Sequence, residues 1–145
     1  MQGDESTVRF FVVGFLIDSG IFVAIERGAL SSKTLEERIG DAPAFISVVT
    51  TSELWHGVYR ALSEDKAAKR AAFIERATHL VPALDVDDFV AREHARLWAH
   101  LQSKGRMIGI HDSWIAATAL TYDLIVATRN PREFHRVPGL RMDVW

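Results

Sequence analysis

Apolar residues along this chain fall into short runs, separated by longer segments with helical spacing. Val8 to Ile17 is almost wholly apolar and rich in β-branched and aromatic residues, the pattern of a strand buried on both faces of a parallel sheet. Gly14 interrupts the run, so its pairing part is expected to begin near Phe15. Asp18-Ser19-Gly20 is a junction, and Ile21 to Arg27 predicts a short helix ended by Gly28. Ser31-Ser32 predicts the cap of a second helix, through Ile39 and closed by Gly40. After the loop Asp41-Ala42-Pro43, Phe45 to Val49 predicts a second strand. Thr50 is expected to cap the next helix, Thr51 to Leu62, where Leu54, Val58 and Leu62 recur at helical spacing. Glu64 to Thr78 predicts an Ala-rich amphipathic helix, and Leu80-Val81 a brief strand before Pro82. Asp85 to Lys104 predicts a long helix with Val90, Ala91, Leu97, Trp98 and Leu101 turned inward, ended by Gly105. Ile108-Gly109-Ile110 leads into Asp112 and a helix from Ser113 to Tyr122. Leu124 to Thr128 predicts a third clear strand, followed by the turn Arg129-Asn130-Pro131. Arg132 to Phe134 predicts one helical turn, and Leu140 to Trp145 a last strand. Strands alternating with helices of this length predict an α/β fold: a central, mostly parallel sheet flanked by helices.

Composition narrows what such a fold does here. The chain has 145 residues, 48% hydrophobic and 25% charged, which suits one domain that buries its own core. It has no cysteine, which excludes a disulfide scaffold, a thiolate zinc site and a cysteine nucleophile. Its 17 basic and 19 acidic side chains leave a formal net charge of −2. A chain this balanced is no general polyanion binder, so a nucleic-acid role needs a local basic surface or bound cations. No apolar run reaches the ~18 residues of a membrane span. The apolar run near the start follows Asp4 and Glu5, without the basic start of a signal peptide. The expectation is a cytosolic protein with no membrane role, whose polar residues Met1 to Thr7 are loose.

Three acids take equivalent places along the pattern. Asp18 directly follows Phe15-Leu16-Ile17, Glu53 lies just past the strand Phe45 to Val49, and Asp112 follows Ile108-Gly109-Ile110 and opens a helix. Ligands of open parallel sheets bind outside the carboxyl ends of the strands, and all three acids are expected there. A fourth polar residue, Asn130, stands two residues past Thr128. Each has a purely structural explanation when taken alone. Asp18 and Asp112 suit helix N-caps, Thr50-x-x-Glu53 reads as a capping box, and Asn130 before Pro131 is ordinary turn chemistry. Taken together, three carboxylates in one cleft repel one another, and a divalent cation relieves that repulsion. With oxygen donors and no thiolate, Mg²⁺ or Mn²⁺ is the natural ion.

Four segments in order carry a resemblance. They are Leu16-Ile17-Asp18-Ser19, then Thr50 to Val58 around Glu53, then Gly105 to Ala119 around Asp112. The last runs from Val126-Ala127-Thr128-Arg129-Asn130-Pro131-Arg132-Glu133-Phe134 to Val137-Pro138-Gly139-Leu140. On these motifs the chain resembles PIN-domain ribonucleases, and specifically the VapC toxins of bacterial toxin–antitoxin pairs, from Phe15 onward. The resemblance implies a PIN-like three-layer fold. Residues 1–14 would be an N-terminal extension and the start of the first strand, and 15–145 a single PIN domain. It implies that Asp18, Glu53 and Asp112 bind Mg²⁺ or Mn²⁺ and that RNA phosphodiester bonds are hydrolysed there. Asn130 takes the fourth position, often an acid in PIN domains, and leaves the site one charge less negative. Ser19, Thr128 and Arg129 become substrate-binding or supporting residues. The implied partners are RNA, a small VapB-like antitoxin whose C-terminal segment places an Arg or similar group in the cleft, and a second copy in a homodimer.

Other features receive plainer readings. Arg27, Arg129, Arg132 and Arg136 stand near the expected active edge as candidates to hold RNA phosphates. Accessible single-stranded or looped RNA is the expected target. His111 is at most a substrate-side neighbour of the acids, His94 a satisfied core or interface histidine, and Glu133 a nearby acid that could help the site but reads first as exposed surface. The four tryptophans read as packing or oligomer contacts. A phosphoacceptor receiver domain also has a parallel sheet and an acidic Mg²⁺ pocket, but it needs a Lys after a late strand. The last Lys here is Lys104. The remaining alternative is a weak or inactive PIN scaffold that only binds a partner.

Overall fold

A computed structural model describes residues 13–145. Its elements are β1 (Phe15–Ile17), α1 (Ser19–Glu26), α2 (Ser32–Ile39), β2 (Ala44–Ser47), α3 (Val48–Tyr59), α4 (Glu64–His79), β3 (Ala83–Leu84), α5 (Asp88–Ser103), α6 (Ile110–Tyr122), β4 (Ile125–Thr128), a 3₁₀ turn (Phe134–Arg136) and β5 (Met142–Val144). The strands form one sheet in the order β3-β2-β1-β4-β5, every pairing parallel. Successive strand residues face opposite sides, and both sides of β1 are sealed. Leu16 packs with Leu97, Leu101, Ile115, Ala116 and Phe134 on one face. Ile17 packs with Ile21, Phe22, Leu54 and Ile74 on the other. Two helical layers around a sheet buried on both faces explain why the strands read as near-continuous apolar runs.

Strand order reverses at β1: the next strand in sequence, β2, lies to one side and β4 to the other. The crevice of a doubly wound sheet opens at such a reversal, past the carboxyl ends of the strands. Here the Asp18 N–H donates to the Ala127 carbonyl at 2.9 Å, so the residue after β1 is still fastened to β4.

Element boundaries differ from the sequence expectation for identifiable reasons. The expected strand over Val8 to Val12 lies outside the described residues, and β1 begins after Gly14. A Cβ at Gly14 would lie 2.9 Å from the Pro43 carbonyl oxygen and 3.1 Å from Leu124 Cδ2. Helix α3 starts before Thr50, because the Ser47 hydroxyl already accepts the Val49 N–H at 3.0 Å and caps it. Thr50 is therefore fully buried within α3, and the Thr50–Glu53 capping box does not form. The third strand is Ala83–Leu84, just past Pro82 rather than before it, and the Pro82 carbonyl accepts the Ile46 N–H at 3.0 Å. Asp87 caps α5, which buries Val90, His94, Leu97 and Leu101. At 100° per residue, Ala91 and Trp98 lie about 80–100° round from that stripe, and both are exposed, not inward as expected. The helical turn after β4 falls at Phe134–Arg136 rather than Arg132 to Phe134. Among the described residues, no helix is long and apolar enough to cross a membrane.

The close approach at Gly14 sets a stability test. Gly14→Ala forces backbone against backbone, a form of overpacking that costs about 1–3 kcal/mol. Thermal unfolding followed by circular dichroism should show a Tm several degrees lower.

Candidate active site

Asp18, Glu53 and Asp112 reach one region from three elements. Asp18 is the N-cap of α1, in extended conformation, and accepts the Ser19 N–H through Oδ1 at 2.9 Å. Its Oδ2 accepts the Thr128 hydroxyl at 2.8 Å, across the β1–β4 crevice. The Thr128 Oγ1 in turn accepts the Asn130 N–H at 3.0 Å. Asp18 is buried. Burial pushes its carboxyl above the ordinary range, while the bonds from Thr128 and Ser19 pull it down. The expected cap is real, and it leaves the carboxylate at the strand end.

Glu53 sits in the second turn of α3, half-buried. Its Oε2 lies 3.6 Å from His111 Nδ1, while its Oε1 is buried without any hydrogen-bond partner. Burial raises its pKa first; the His111 imidazole opposes this and the Asp18 charge adds to it.

Asp112 lies in the first turn of α6. Its carboxyl is pushed up to about 8, by burial first, then by its hydrogen bond with Glu133 and by the charges of Asp18, Glu133 and Glu53. Glu133 moves the opposite way, held down by Asp112 and by the Gly109 N–H. The two neighbouring carboxyls are thus pushed in opposite directions, Asp112 up and Glu133 down.

Glu133 stands closer to the acids than its sequence reading as a surface acid gave it. It is partly buried, and its Oε2 accepts the Gly109 N–H at 3.1 Å. Gly109 is the N-cap of α6 and offers no side chain of its own, so Glu133 supplies the anion that a helix N-terminus favours. A Cβ on Gly109 would stand 3.2 Å from that oxygen, so glycine here permits the approach. The sequence signal was an acid one turn beyond the strand-end residue Asn130, in a chain bent back by Pro131.

The other expected residues separate. Ser19 lines a cleft with Glu53 and Arg27. Asn130 joins the polar chain through its backbone N–H, and it and Arg129 are exposed. Arg136 donates to the Met107 carbonyl at 2.7 Å, which ties the 3₁₀ turn to the segment before α6. His94 is buried under the site, its Nε2 2.8 Å from Ser113 Oγ and its ring stacked on Trp114 at 3.5 Å between centroids.

As the side chains stand, no three carboxylate or imidazole groups among the described residues converge on one point as a metal cage. Asp18 is turned to Thr128, Glu53 to His111 and Asp112 to Glu133. The donor set nevertheless fits a hard divalent cation. It is all oxygen, it is mutually repelling, and the buried Glu53 Oε1 lacks a partner.

A parallel sheet with acids gathered at the carboxyl edge of its reversal point defines the class of protein: an α/β domain built around an acidic, cation-suited cleft. A family model described as "PIN domain" matches residues 15–140. Ribonuclease VapC1 of Rickettsia felis is 35% identical over 130 residues, 90% of this chain and 95% of its own length. The tRNA(fMet)-specific endonuclease VapC of Shigella flexneri is 31% identical over 131 residues, 90% of this chain and 97% of its own. Among solved structures, DNA-bound VapBC from Salmonella typhimurium aligns with a TM-score of 0.82 at 27% identity, covering 92% of this chain and 99% of that one. The chain belongs to the PIN-domain family, in its VapC ribonuclease branch.

The raised Asp112 carboxyl gives two expected outcomes. In Glu133→Gln the Asp112 pKa should fall clearly below about 8, because a charge and a strong acceptor are removed; carboxyl-carbon NMR titration of the metal-free protein reads this directly. The second concerns stability. Between the unfolded value of 3.8 and the folded value of about 8, Asp112 binds a proton only when folded, so its contribution falls as pH rises through that window. Asp112→Asn should therefore raise the Tm of metal-free protein at pH 8 more than at pH 5.

Proposed function

We propose that this chain is a metal-dependent endoribonuclease, the toxin half of a VapBC-type toxin–antitoxin pair. The observation that carries the reading is the coupling of Asp18, Glu53 and Asp112 at the carboxyl edge of a PIN-family sheet. Each acid is raised by burial, and Glu53 and Asp112 also by neighbouring carboxylates. Asp18, Glu53 and Asp112 would hold Mg²⁺ or Mn²⁺, with Glu133 beside them. When bound, such an ion supplies a water of lowered pKa and neutralises charge developing on the phosphoryl oxygens.

The chain's own residues do the rest. Ser19 N–H and Thr128 hydroxyl hold the Asp18 carboxylate in one orientation. His111 Nδ1 stands 3.6 Å from Glu53 Oε2 at the exposed side of the site. Glu133, beside Asp112, raises the pKa of that carboxyl and itself accepts the Gly109 N–H. RNA reaches the cleft as an accessible single strand or loop, because paired bases keep their backbone in a rigid helix.

An antitoxin partner is supported by a second feature. An apolar groove of about 840 Å³ lies between α2 and α4, lined by Leu35, Ile39, Phe45, Ala77 and Leu80, with Glu36 and Arg76 also along it. Such a groove suits the apolar face of a partner helix. The resemblance to VapC toxins implies a homodimer, and the exposed Phe89, Trp98 and Ile110 provide apolar surface for a second copy.

Purified protein, free of antitoxin, should cleave a mixed RNA pool in Mg²⁺ or Mn²⁺ and stop in EDTA. Asp18→Asn and Asp112→Asn should each lower the rate roughly a hundredfold or more while remaining folded. A folded wild type that cuts no RNA in either metal, cellular tRNA and rRNA included, would favour a scaffold that only binds a partner.

A further inference from the structure

We infer that the cleft between α1, α3 and α4 is a subsite for the RNA strand beside the bond that is cut, with Arg27 and Arg60 gripping a flanking phosphate. This rests on the nuclease reading above and names how its substrate is held. A cavity of about 200 Å³ is lined by Ser19, Glu53, Gly57, Arg27, Arg60 and Arg70. Helix geometry orders these residues. Ser19 opens α1 and Arg27 is its C-cap, while Glu53 and the C-cap Arg60 lie seven residues apart along α3. Both helices start at carboxyl ends of parallel strands. Each therefore carries the cleft from the acid edge to an arginine, over roughly 10 Å in the case of α3.

The three arginines are not alike. Arg70 is occupied: it donates to Glu26 Oε1 at 3.2 Å and to the Gly57 carbonyl at 2.9 Å, and so forms a wall. Arg27 and Arg60 are exposed and make no ion pair among the described residues. Two unpaired guanidiniums beside a phosphodiester-cutting edge offer planar, bidentate donors for phosphate oxygens. Gly57 strengthens the assignment. It lies on the Glu53–Arg60 face of α3, where a helix-interior glycine is unfavourable. A Cβ there would meet Arg70 Cδ at an ordinary 3.8 Å, so no clash requires glycine. Its missing side chain leaves the cleft open between the acid and the arginine.

A purely structural role competes: cations near helix C-termini complement the helix dipole. The experiment separates the two. Fluorescein-labelled single-stranded RNA of mixed sequence is titrated, in Mg²⁺ and over a salt series, against Asp112→Asn protein with and without Arg27→Ala and Arg60→Ala. Affinity should fall about tenfold or more, and the salt slope should drop by about 0.7 for each phosphate no longer held. In the active protein, KM should rise with kcat nearly unchanged. Lysine at both positions should restore the slope but only part of the affinity. Gly57→Leu, which fills the cleft, should raise KM without lowering the Tm. Unchanged RNA affinity and slope in the double Ala variant, with or without a lowered Tm, would overturn the inference while wild-type cleavage keeps the nuclease reading. The same holds if the variant loses an acidic peptide but keeps RNA, which would assign the cleft to a protein partner. If the parent binds no RNA and wild type cuts none, both fall together.

Discussion

Repulsion among carboxylates brought to one partly dry edge is the constraint around which this molecule is arranged. Left unanswered, it would raise every pKa and oppose folding. Each acid has its own local answer. Asp18 receives two hydrogen bonds, Glu53 faces an imidazole, and the Asp112 carboxyl is pushed up to about 8 by burial and by Glu133 beside it. None of these answers removes the charge density; they store it. Charge gathered in this way opposes folding locally, as expected where a site comes at the expense of stability.

The second determinant is topology. Asp18 and Thr128 are 110 residues apart in sequence, yet they share a buried 2.8 Å hydrogen bond. They meet because β1 is central and β4 pairs with it in parallel, with Ile17 opposite Ala127. Helix α6 then delivers Asp112 from a body that is closed on most sides. Ile115, Ala116, Ala117 and Ala119 are essentially buried, and the small side chains let neighbouring elements approach closely. Asp18, Glu53 and Asp112 are therefore carried by elements anchored in the core rather than by loops.

Much of this was legible in the sequence. An acid immediately after a short apolar strand has few places to go in a parallel α/β sheet, so the position of Asp18 was readable; Ile108-Gly109-Ile110 forms no strand, and Asp112 instead arrives on the first turn of α6. Glu53 was found too, though the expected capping box was wrong: Ser47 intercepts the helix start three residues earlier. Glu133 was read as a nearby acid that could help but mainly as surface, because its contact with Gly109, 24 residues away in sequence, runs through a turn with no periodic signal. The phase of α5 was ambiguous for a different reason. Hydrophobicity favours Trp98 in the core, while the helical stripe selects His94, whose polar atom is satisfied by Ser113. Geometry outranked hydrophobicity there because a buried ring needs one partner, not an apolar character.

The turn after β4 has a consequence for how such a site drifts. Asn130 contributes its backbone N–H to Thr128, and its residue as a whole is exposed. Backbone donors are indifferent to residue type. The architecture at this corner is therefore insulated from what the side chain happens to be, and the formal charge of the cleft becomes a separately adjustable setting. At this one position, side-chain charge can change while the backbone bond that shapes the corner stays in place.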